Sequence, residues 1–166
     1  MEKRDLYDIN RNLTGEYIYK GEPVPPHRYI IVVLSFIQNS KGEFLIQKRS
    51  AEKNGKYALT GGHPKSGETS LQGMLTEIKE EIGLTLLPTE LDLIFFGRED
   101  LSQVFFDVYY AKKDFNICDL ALQKEEVESV RWLSLAEIEK LIAEGLFLEN
   151  HAEEFFRMIN IFKKKN

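Results

Sequence analysis

The chain has 166 residues with 22 basic and 27 acidic side chains, which gives a formal net charge of −5 at pH 7. Its length suits one domain spanning residues 1–166, and a composition of 43% hydrophobic and 30% charged residues excludes wholesale disorder. The acidic balance argues against sequence-independent binding of a nucleic-acid polymer, and the single cysteine, Cys118, excludes an internal disulfide.

Residues 1–28 are predicted to form an N-terminal hairpin arm. Two strand-like segments, 6–9 and 17–19, flank a turn expected at 12–15, where asparagine and glycine favour a reversal. The segment that follows, 21–26, contains three prolines, so it cannot be helical and is expected to be an extended connector.

The rest of the chain mixes strand and helix patterns. Strands are predicted at 29–38, 43–49, 57–60, 91–98, 102–111 and 127–133. One helix is predicted at 70–82, between a Thr69–Gln72 capping box and a left-handed stop at Gly83. Two more are predicted after Ser134 and Asn150, each of which has a glutamate three residues on. This irregular order predicts an α/β or α+β sandwich with a mixed β-sheet.

Three acidic residues cluster on the first predicted helix. At about 100° per residue, Glu77, Glu80 and Glu81 fall inside an arc of roughly 100°, beside the apolar arc that must face the core. Glu77 has a like charge both three and four residues on, and no basic residue follows Glu80 or Glu81 at those spacings. A solvated acidic surface is the simpler interpretation. However, clustered carboxylates are also the ligands that Mg²⁺ and Mn²⁺ prefer, and we favour a metal site.

The loop before this helix has the opposite charge. Residues 48–66 carry five basic side chains and one acidic side chain, in a chain whose net charge is −5. Ordinary surface lysines would give the same count, but the neighbouring acids make us prefer a phosphate-binding patch. Arg49 and Lys65 are its candidate substrate-binding residues. Gly61 and Gly62 would let the backbone approach a ligand or a metal closely.

These residues together resemble a known motif. Five residues separate Gly62 from Glu68, seven separate Glu68 from Thr76, and the motif then runs Glu77-Ile78-Lys79-Glu80-Glu81-Ile82-Gly83-Leu84. The pattern is similar to the Nudix box, Gly-x5-Glu-x7-Arg-Glu-U-x-Glu-Glu-x-Gly-U with U aliphatic. Every fixed position matches except the arginine, which is Thr76 here. The order of the strands around the acidic helix also resembles a Nudix domain.

The resemblance implies a Nudix-type α/β/α sandwich that hydrolyses a small-molecule diphosphate linked to another moiety, of the nucleotide type. It implies that Glu77, Glu80 and Glu81, with the backbone carbonyl of Gly61, bind Mg²⁺ or Mn²⁺. The metal ion would neutralise and orient the phosphates and lower the pKa of an attacking water.

Glu77 and Glu81 are thereby also catalytic candidates. The resemblance further implies one acid from outside the motif that binds metal or acts as the base, and Glu126 is our candidate for it. Glu125 is the alternative, and the interpretation that both are solvent-facing turn acids stays open. Glu68 is expected to order the loop and the helix.

Four positions form the structural part of the motif, Gly62, Glu68, Thr76 and Gly83. The family's arginine pairs with acids of the motif, which threonine at position 76 is not expected to do. We expect a catalytically competent site that is braced differently. The alternative is a non-catalytic module that binds or senses a nucleotide.

The segment 45–50, with Gly62-His63-Pro64 after it, also resembles isopentenyl-diphosphate isomerase and the hydrolases that are similar to it. That isomerase has a cysteine at the position of Gly61 and lacks the full pair of acids, whereas both Glu80 and Glu81 are present here, so hydrolysis is preferred. His63 is a metal ligand by analogy with the isomerase, or more simply a loop histidine. His151 is expected on a helix surface.

The predicted location is the cytoplasm. No charged-then-apolar leader opens the sequence, and the longest apolar run, 29–37, is too short to span a bilayer, so no membrane association is expected. A single cysteine fits a reducing compartment. Homodimer formation is left open.

Overall fold

The computed structural model describes residues 1–165, whose secondary structure follows the predicted order of elements. Its strands are β1 (Lys3–Tyr7), β2 (Leu13–Tyr19), β3 (Ile30–Gln38), β4 (Phe44–Arg49), β5 (Tyr57–Ala58), β6 (Thr60–Gly62), β7 (Asp92–Glu99), β8 (Val104–Lys112) and β9 (Val127–Leu133). Its α-helices are α1 (Ser70–Ile82), α2 (Leu135–Ala143) and α3 (Glu149–Lys165).

Seven of these strands form one mixed sheet. Its order is β5-β4-β3-β8-β7, with β6 paired to β3 and β9 paired to β4. β3 and β8 run parallel over all of β3, from Ile30 opposite Val104 to Gln38 opposite Lys112. The other pairs are antiparallel. The predicted mixed sheet is therefore confirmed.

Helices cover both faces of this sheet. Alternation along β3 places Ile31 and Val33 in the cluster that contains α1, and Leu34 and Phe36 in the cluster that contains α2 and α3. The helices contribute side chains with no exposed surface to these clusters, namely Met74, Ile78 and Ile82 on one face and Ile138, Phe155 and Met158 on the other. The predicted α/β/α sandwich is confirmed. No helix within residues 1–165 combines the length and the apolar character needed to cross a bilayer.

The N-terminal hairpin is present, but its turn lies earlier than predicted. β1 and β2 pair antiparallel, and the reversal occupies residues 8–12, where the Asp8 carboxylate accepts the backbone N–H groups of Asn10 and Asn12 at 2.9 Å. Arg11 takes a left-handed φ of 65° in this turn. The expected turn at 12–15 is wrong because the Asp8 side chain forms an Asx turn first, which leaves Gly15 inside β2. The division into one domain stays a prediction.

The ends of the helices agree with the sequence in two cases out of three. α1 and α2 have the predicted capping boxes, and Gly83 ends α1 with a φ of 72°. α3 begins at Glu149, so Asn150 lies inside the helix and is not its cap. The cause is tertiary. The Leu148 N–H donates to the Tyr57 carbonyl at 2.9 Å, and the Leu148 carbonyl accepts from the Ala152 N–H at 2.9 Å. These bonds make the helix start two residues earlier than a cap at Asn150 would.

Candidate active site

The acids of α1 differ in their surroundings because the apolar stripe of the helix sets which way each one faces. Glu81, beside the buried Ile82, is only 8% exposed, Glu77 is half-buried, and Glu80 is exposed. The sequence therefore places two of the three carboxylates in a poorly solvated position at the edge of the core.

Glu77 lies against the backbone of the preceding loop. Its Oε1 accepts the His63 N–H at 3.0 Å, and a Cβ at position 62 would come within 2.3 Å of its carboxyl carbon. Only glycine at position 62 leaves room for this approach. Burial, the main cause, raises the pKa of Glu77 to about 7, and the His63 N–H lowers it.

Glu81 lies deeper, where β4 and β6 meet. Its Oε2 accepts from Gln47 Nε2 at 3.2 Å, and Gln47 Oε1 in turn accepts from the Thr60 hydroxyl at 3.1 Å. Burial and, second, the charge of Glu77 raise the pKa of Glu81 to about 8. Among residues 1–165, no basic side chain lies within ion-pair distance of either Glu77 or Glu81. Gln47 is a neighbour that sequence reasoning missed, since a polar residue in a strand carries no signal by itself.

Glu80 is the exception, because Lys65 from the loop forms an ion pair with its Oε1. Helical spacing alone predicted that no basic residue pairs with Glu80. That prediction is wrong, because Lys65 comes from the preceding loop and not from the helix. Lys65, expected to bind substrate, is not among the residues that line the cleft described below. Both side chains of the pair are well exposed, so its contribution to stability is small.

Thr76 does hold an acid of the motif. Its hydroxyl donates to Glu68 Oε1 at 2.7 Å, and Glu68 Oε2 accepts the Lys65 N–H at 2.8 Å. Glu68 thus joins α1 to the loop, as expected for it. The expectation that threonine cannot pair with these acids is wrong, because the loop brings Glu68 within reach of a short side chain.

A cleft of about 500 Å³ opens over these acids. Glu126 and Arg49 line it, and Lys53 forms an ion pair with Glu126 at 3.1 Å. Glu125 does not line it, and its carbonyl accepts from the Ser50 hydroxyl at 2.7 Å. The geometry therefore brings Glu126, rather than Glu125, to the acids of α1.

Two histidines face this cleft with opposite hydrogen-bonding roles. His63 Nδ1 lies 3.0 Å from the Ile31 carbonyl and must donate to it, so a neutral ring leaves Nε2 without a proton. His151 Nδ1 accepts the Leu59 N–H at 3.1 Å, so its proton is on Nε2. The pKa of both is lowered to about 4, mainly by burial, and the charge of Arg4 contributes second to the shift of His63. The prediction of His151 on a helix surface is wrong, because α3 turns it toward β5 and β6.

The cleft also receives residues from distant parts of the chain. The arm contributes Glu2, Arg4 and Lys20, and the start of α3 contributes Leu148, Asn150 and His151. Local patterns could not identify these residues, because their place depends on tertiary contacts such as that of Lys3 with Ser66 and that of Leu59 with His151.

The donor set fits a hard divalent cation. No group of three His, Cys, Asp or Glu side chains in residues 1–165 converges as a ready-made cation site. Even so, Glu77 Oε2 and Glu81 Oε1 accept no hydrogen bond within these residues. Burial, as the main cause, raises the pKa of both groups, so the surrounding protein does little to stabilise their charged forms. A divalent cation would offset that charge, and oxygen ligands are the kind it prefers.

Comparisons with known proteins agree with this geometry. The NUDIX domain model matches residues 28–154. An uncharacterized Nudix hydrolase of Listeria monocytogenes is 35% identical over 172 residues, covering 100% of this chain and 96% of the relative. The crystal structure of a Deinococcus radiodurans protein superposes with a TM-score of 0.76 at 22% identity, covering 95% of this chain and 98% of that chain.

A second solved structure, the NUDIX domain of Shewanella oneidensis NrtR complexed with ADP ribose, has a TM-score of 0.62 at 16% identity, covering 82% of this chain and 88% of that chain. At these identities the two structures show the shared fold. The family model and the full-length Listeria relative, together with the motif at residues 62–84, confirm the predicted resemblance. The chain belongs to the Nudix hydrolase family.

Proposed function

We propose that the protein is a hydrolase that requires Mg²⁺ or Mn²⁺ and cleaves the phosphoanhydride of a diphosphate linked to another moiety, of the nucleotide type. The observation that carries this proposal is the pair Glu77 and Glu81, which lie poorly solvated and without a basic partner among residues 1–165, at the floor of an open cleft. Burial and mutual repulsion disfavour the charged form of both carboxyls, and a bound cation would stabilise that form, so it is the simplest reason for the arrangement.

The proposed ligands are Glu77, Glu80, Glu81 and the carbonyl of Gly61. When bound, the cation would supply charge neutralisation for the phosphates and activation of a water molecule. Lys65 is proposed to orient Glu80 rather than to contact substrate, since the two already form an ion pair.

Two cleft residues have roles toward the substrate. Arg49 presents a guanidinium that suits phosphate oxygens. Glu126 is proposed as the proton acceptor, because its carboxylate faces the acids of α1 and is held by Lys53. Without the Glu126 carboxylate to accept the proton, hydrolysis should be lost.

Nucleotide-type substrates are supported by the family and by the ADP ribose bound in the NrtR structure. The isomerase alternative is not favoured, because position 61 is glycine and the lone cysteine, Cys118, is exposed and does not line the cleft. The cytoplasm remains the predicted location, and a homodimer remains open.

A substrate panel tests the proposal. Purified protein is incubated with nucleoside triphosphates, ADP-ribose, dinucleoside polyphosphates, coenzyme A and NADH, with Mg²⁺, with Mn²⁺ and with EDTA. We expect release of phosphate or a nucleoside monophosphate from at least one compound with metal and none with EDTA. Binding of a panel member without turnover under any condition would support the nucleotide-sensing alternative instead.

A further inference from the structure

The N-terminal hairpin forms one wall of the cleft although it precedes the residues that the family model matches. The family model begins at residue 28, whereas Glu2, Arg4 and Lys20 line the cleft together with Gly62, His63 and Glu77. The hairpin therefore meets the acids of α1 at their N-terminal end.

The hairpin is fixed to the loop that carries the Nudix motif. The Ser66 N–H donates to the Lys3 carbonyl at 2.9 Å, and the Asp5 carboxylate accepts from the Ser66 hydroxyl at 2.6 Å and from the Gly67 N–H at 2.9 Å. Leu6, which follows, is buried against Ile18 and Ile30. These contacts hold the strand residue between them, Arg4, in a set position toward the cleft.

Arg4 has unused hydrogen-bonding capacity at this position. Its side chain is only 14% exposed, and its Nε donates to Glu2 Oε1 at 3.2 Å. Within residues 1–165, neither terminal nitrogen of its guanidinium has a hydrogen-bond acceptor, and no carboxylate lies within ion-pair distance of Lys20. A guanidinium whose two terminal nitrogens are free is suited to bidentate binding of phosphate.

Basic side chains thus flank the acids of α1 from both ends. Arg4 lies near His63, and Lys20 lies near both His63 and Glu77, with the Glu2 carboxylate at the same end. Arg49 lies near Glu81 and His151. A diphosphate that lies across these acids would present one phosphate group toward each end.

We propose that Arg4, assisted by Lys20, binds the phosphate group of the substrate at the Glu77 end of the cleft, which makes the hairpin arm part of the substrate-binding site. This inference rests on the proposed diphosphate hydrolysis and assigns that site a recognition element from outside the residues that the family model matches. The arm then contributes to substrate affinity, and the acids of α1 contribute to the chemistry.

Steady-state kinetics on an accepted substrate test the assignment. Arg4→Gln should raise KM by about ten- to a hundredfold, the range for loss of a charge-assisted hydrogen bond, with kcat changed by less than about threefold. Arg4→Lys should recover part of the affinity, and Lys20→Gln should give a smaller rise. The matched control is Lys3→Gln, at the residue before Arg4 in β1. The Lys3 ammonium lies 4.2 Å from the centre of the Tyr17 ring, and Lys3 does not line the cleft.

A binding measurement separates this inference from the proposed function. Calorimetric titration of inorganic pyrophosphate with Mg²⁺ should show weaker binding to Arg4→Gln than to the wild type and unchanged binding to Lys3→Gln. Absence of turnover by the wild type would overturn the proposed hydrolysis but leave this readout in place. Unchanged KM and unchanged pyrophosphate affinity in both Arg4→Gln and Lys20→Gln would overturn the role of the arm. Because Lys20 is exposed, the Lys20→Gln variant provides this test even if Arg4→Gln folds poorly.

Discussion

Glu77, Glu80 and Glu81 are neighbours on one helix, yet they have three different environments. Glu80 is exposed and ion-paired to Lys65, Glu77 lies against the backbone at His63, and Glu81 is buried. Helical geometry fixes only the direction in which each side chain leaves the helix. The loop and the sheet, which meet the helix from other parts of the chain, determine what each carboxylate contacts.

Thr76 offers a test of the brace between α1 and its loop. Thr76→Val removes the hydroxyl that donates to Glu68 at 2.7 Å, so the free energy of unfolding should fall by about 1 kcal/mol and turnover should fall with it. Thr76→Ser keeps the hydroxyl and is the control, which should resemble the wild type. Thr76→Arg restores the family residue and should retain or increase turnover, since its guanidinium can pair with the same carboxylate. Full activity and stability in Thr76→Val would contradict this role.

His151 makes a prediction about acid stability. Burial lowers its pKa from 6.5 to about 4 in the folded chain, so its contribution to stability is full above about pH 6.5 and is lost as the pH falls toward 4. In His151→Asn, the amide oxygen can still accept the Leu59 N–H, but the side chain does not titrate between pH 7 and 4. Between pH 7 and 4, the free energy of unfolding of this variant should fall less than that of the wild type, by up to about 3 kcal/mol.

Chemical denaturation at a series of pH values measures the difference. The control is His27→Asn at an exposed site, whose curve should follow the wild type. Parallel curves for the wild type and His151→Asn would show that His151 is not held neutral by burial.

At the level of elements, one buried carboxylate contributes to the docking of the hairpin arm. Asp107 of β8 is 2% exposed and accepts two hydrogen bonds from Arg11, one of 2.8 Å, and a further one from Ser70. These bonds join the arm to the sheet and to the start of α1. The arm is thereby coupled to the element that carries the acids.

Arg11→Met should destabilise the protein by about 3 kcal/mol, because it leaves the Asp107 charge buried without its partner. Adding Asp107→Asn to that variant removes the charge and should recover much of the loss. Arg28→Gln, which breaks an exposed ion pair with Glu16, is the control and should leave stability unchanged. Denaturant unfolding of the four proteins checks this, and a loss no larger for Arg11→Met than for Arg28→Gln would contradict it.

The order of the elements was predictable from the sequence, because periodicity and capping residues act locally. Thr69, Gln72 and Gly83 delimit α1 by contacts within a few residues, and the prediction for that helix was right at both ends. The start of α3 was not predictable, because it is set by a bond from Leu148 to Tyr57, a residue far away in the sequence. The prediction of the hairpin turn was wrong for a local reason, because the Asp8 side chain stabilises a turn at residues 8–12, before the expected turn at 12–15.

At the level of the whole molecule, three distant segments converge on the cleft. The motif at residues 62–84 supplies the acids, the hairpin supplies Arg4 and Lys20, and the start of α3 supplies Asn150 and His151. Spacing along the sequence identified the first segment, because a helix places residues three and four apart on one side. It could not identify the other two, whose approach to the acids depends on contacts such as that between Leu59 and His151.

The most direct measurement is turnover of an accepted substrate as a function of free Mg²⁺, for the wild type and for Glu81→Gln, with Glu139→Gln on the exposed side of α2 as the control. We predict that EDTA abolishes turnover and that added Mg²⁺ restores it in the wild type and the control. Glu81→Gln should remain lower by about two orders of magnitude, a loss typical of removing an electrostatic group from an active site. Full turnover in EDTA after verified metal removal, or equal activity of Glu81→Gln and the wild type, would contradict metal-dependent hydrolysis at these glutamates.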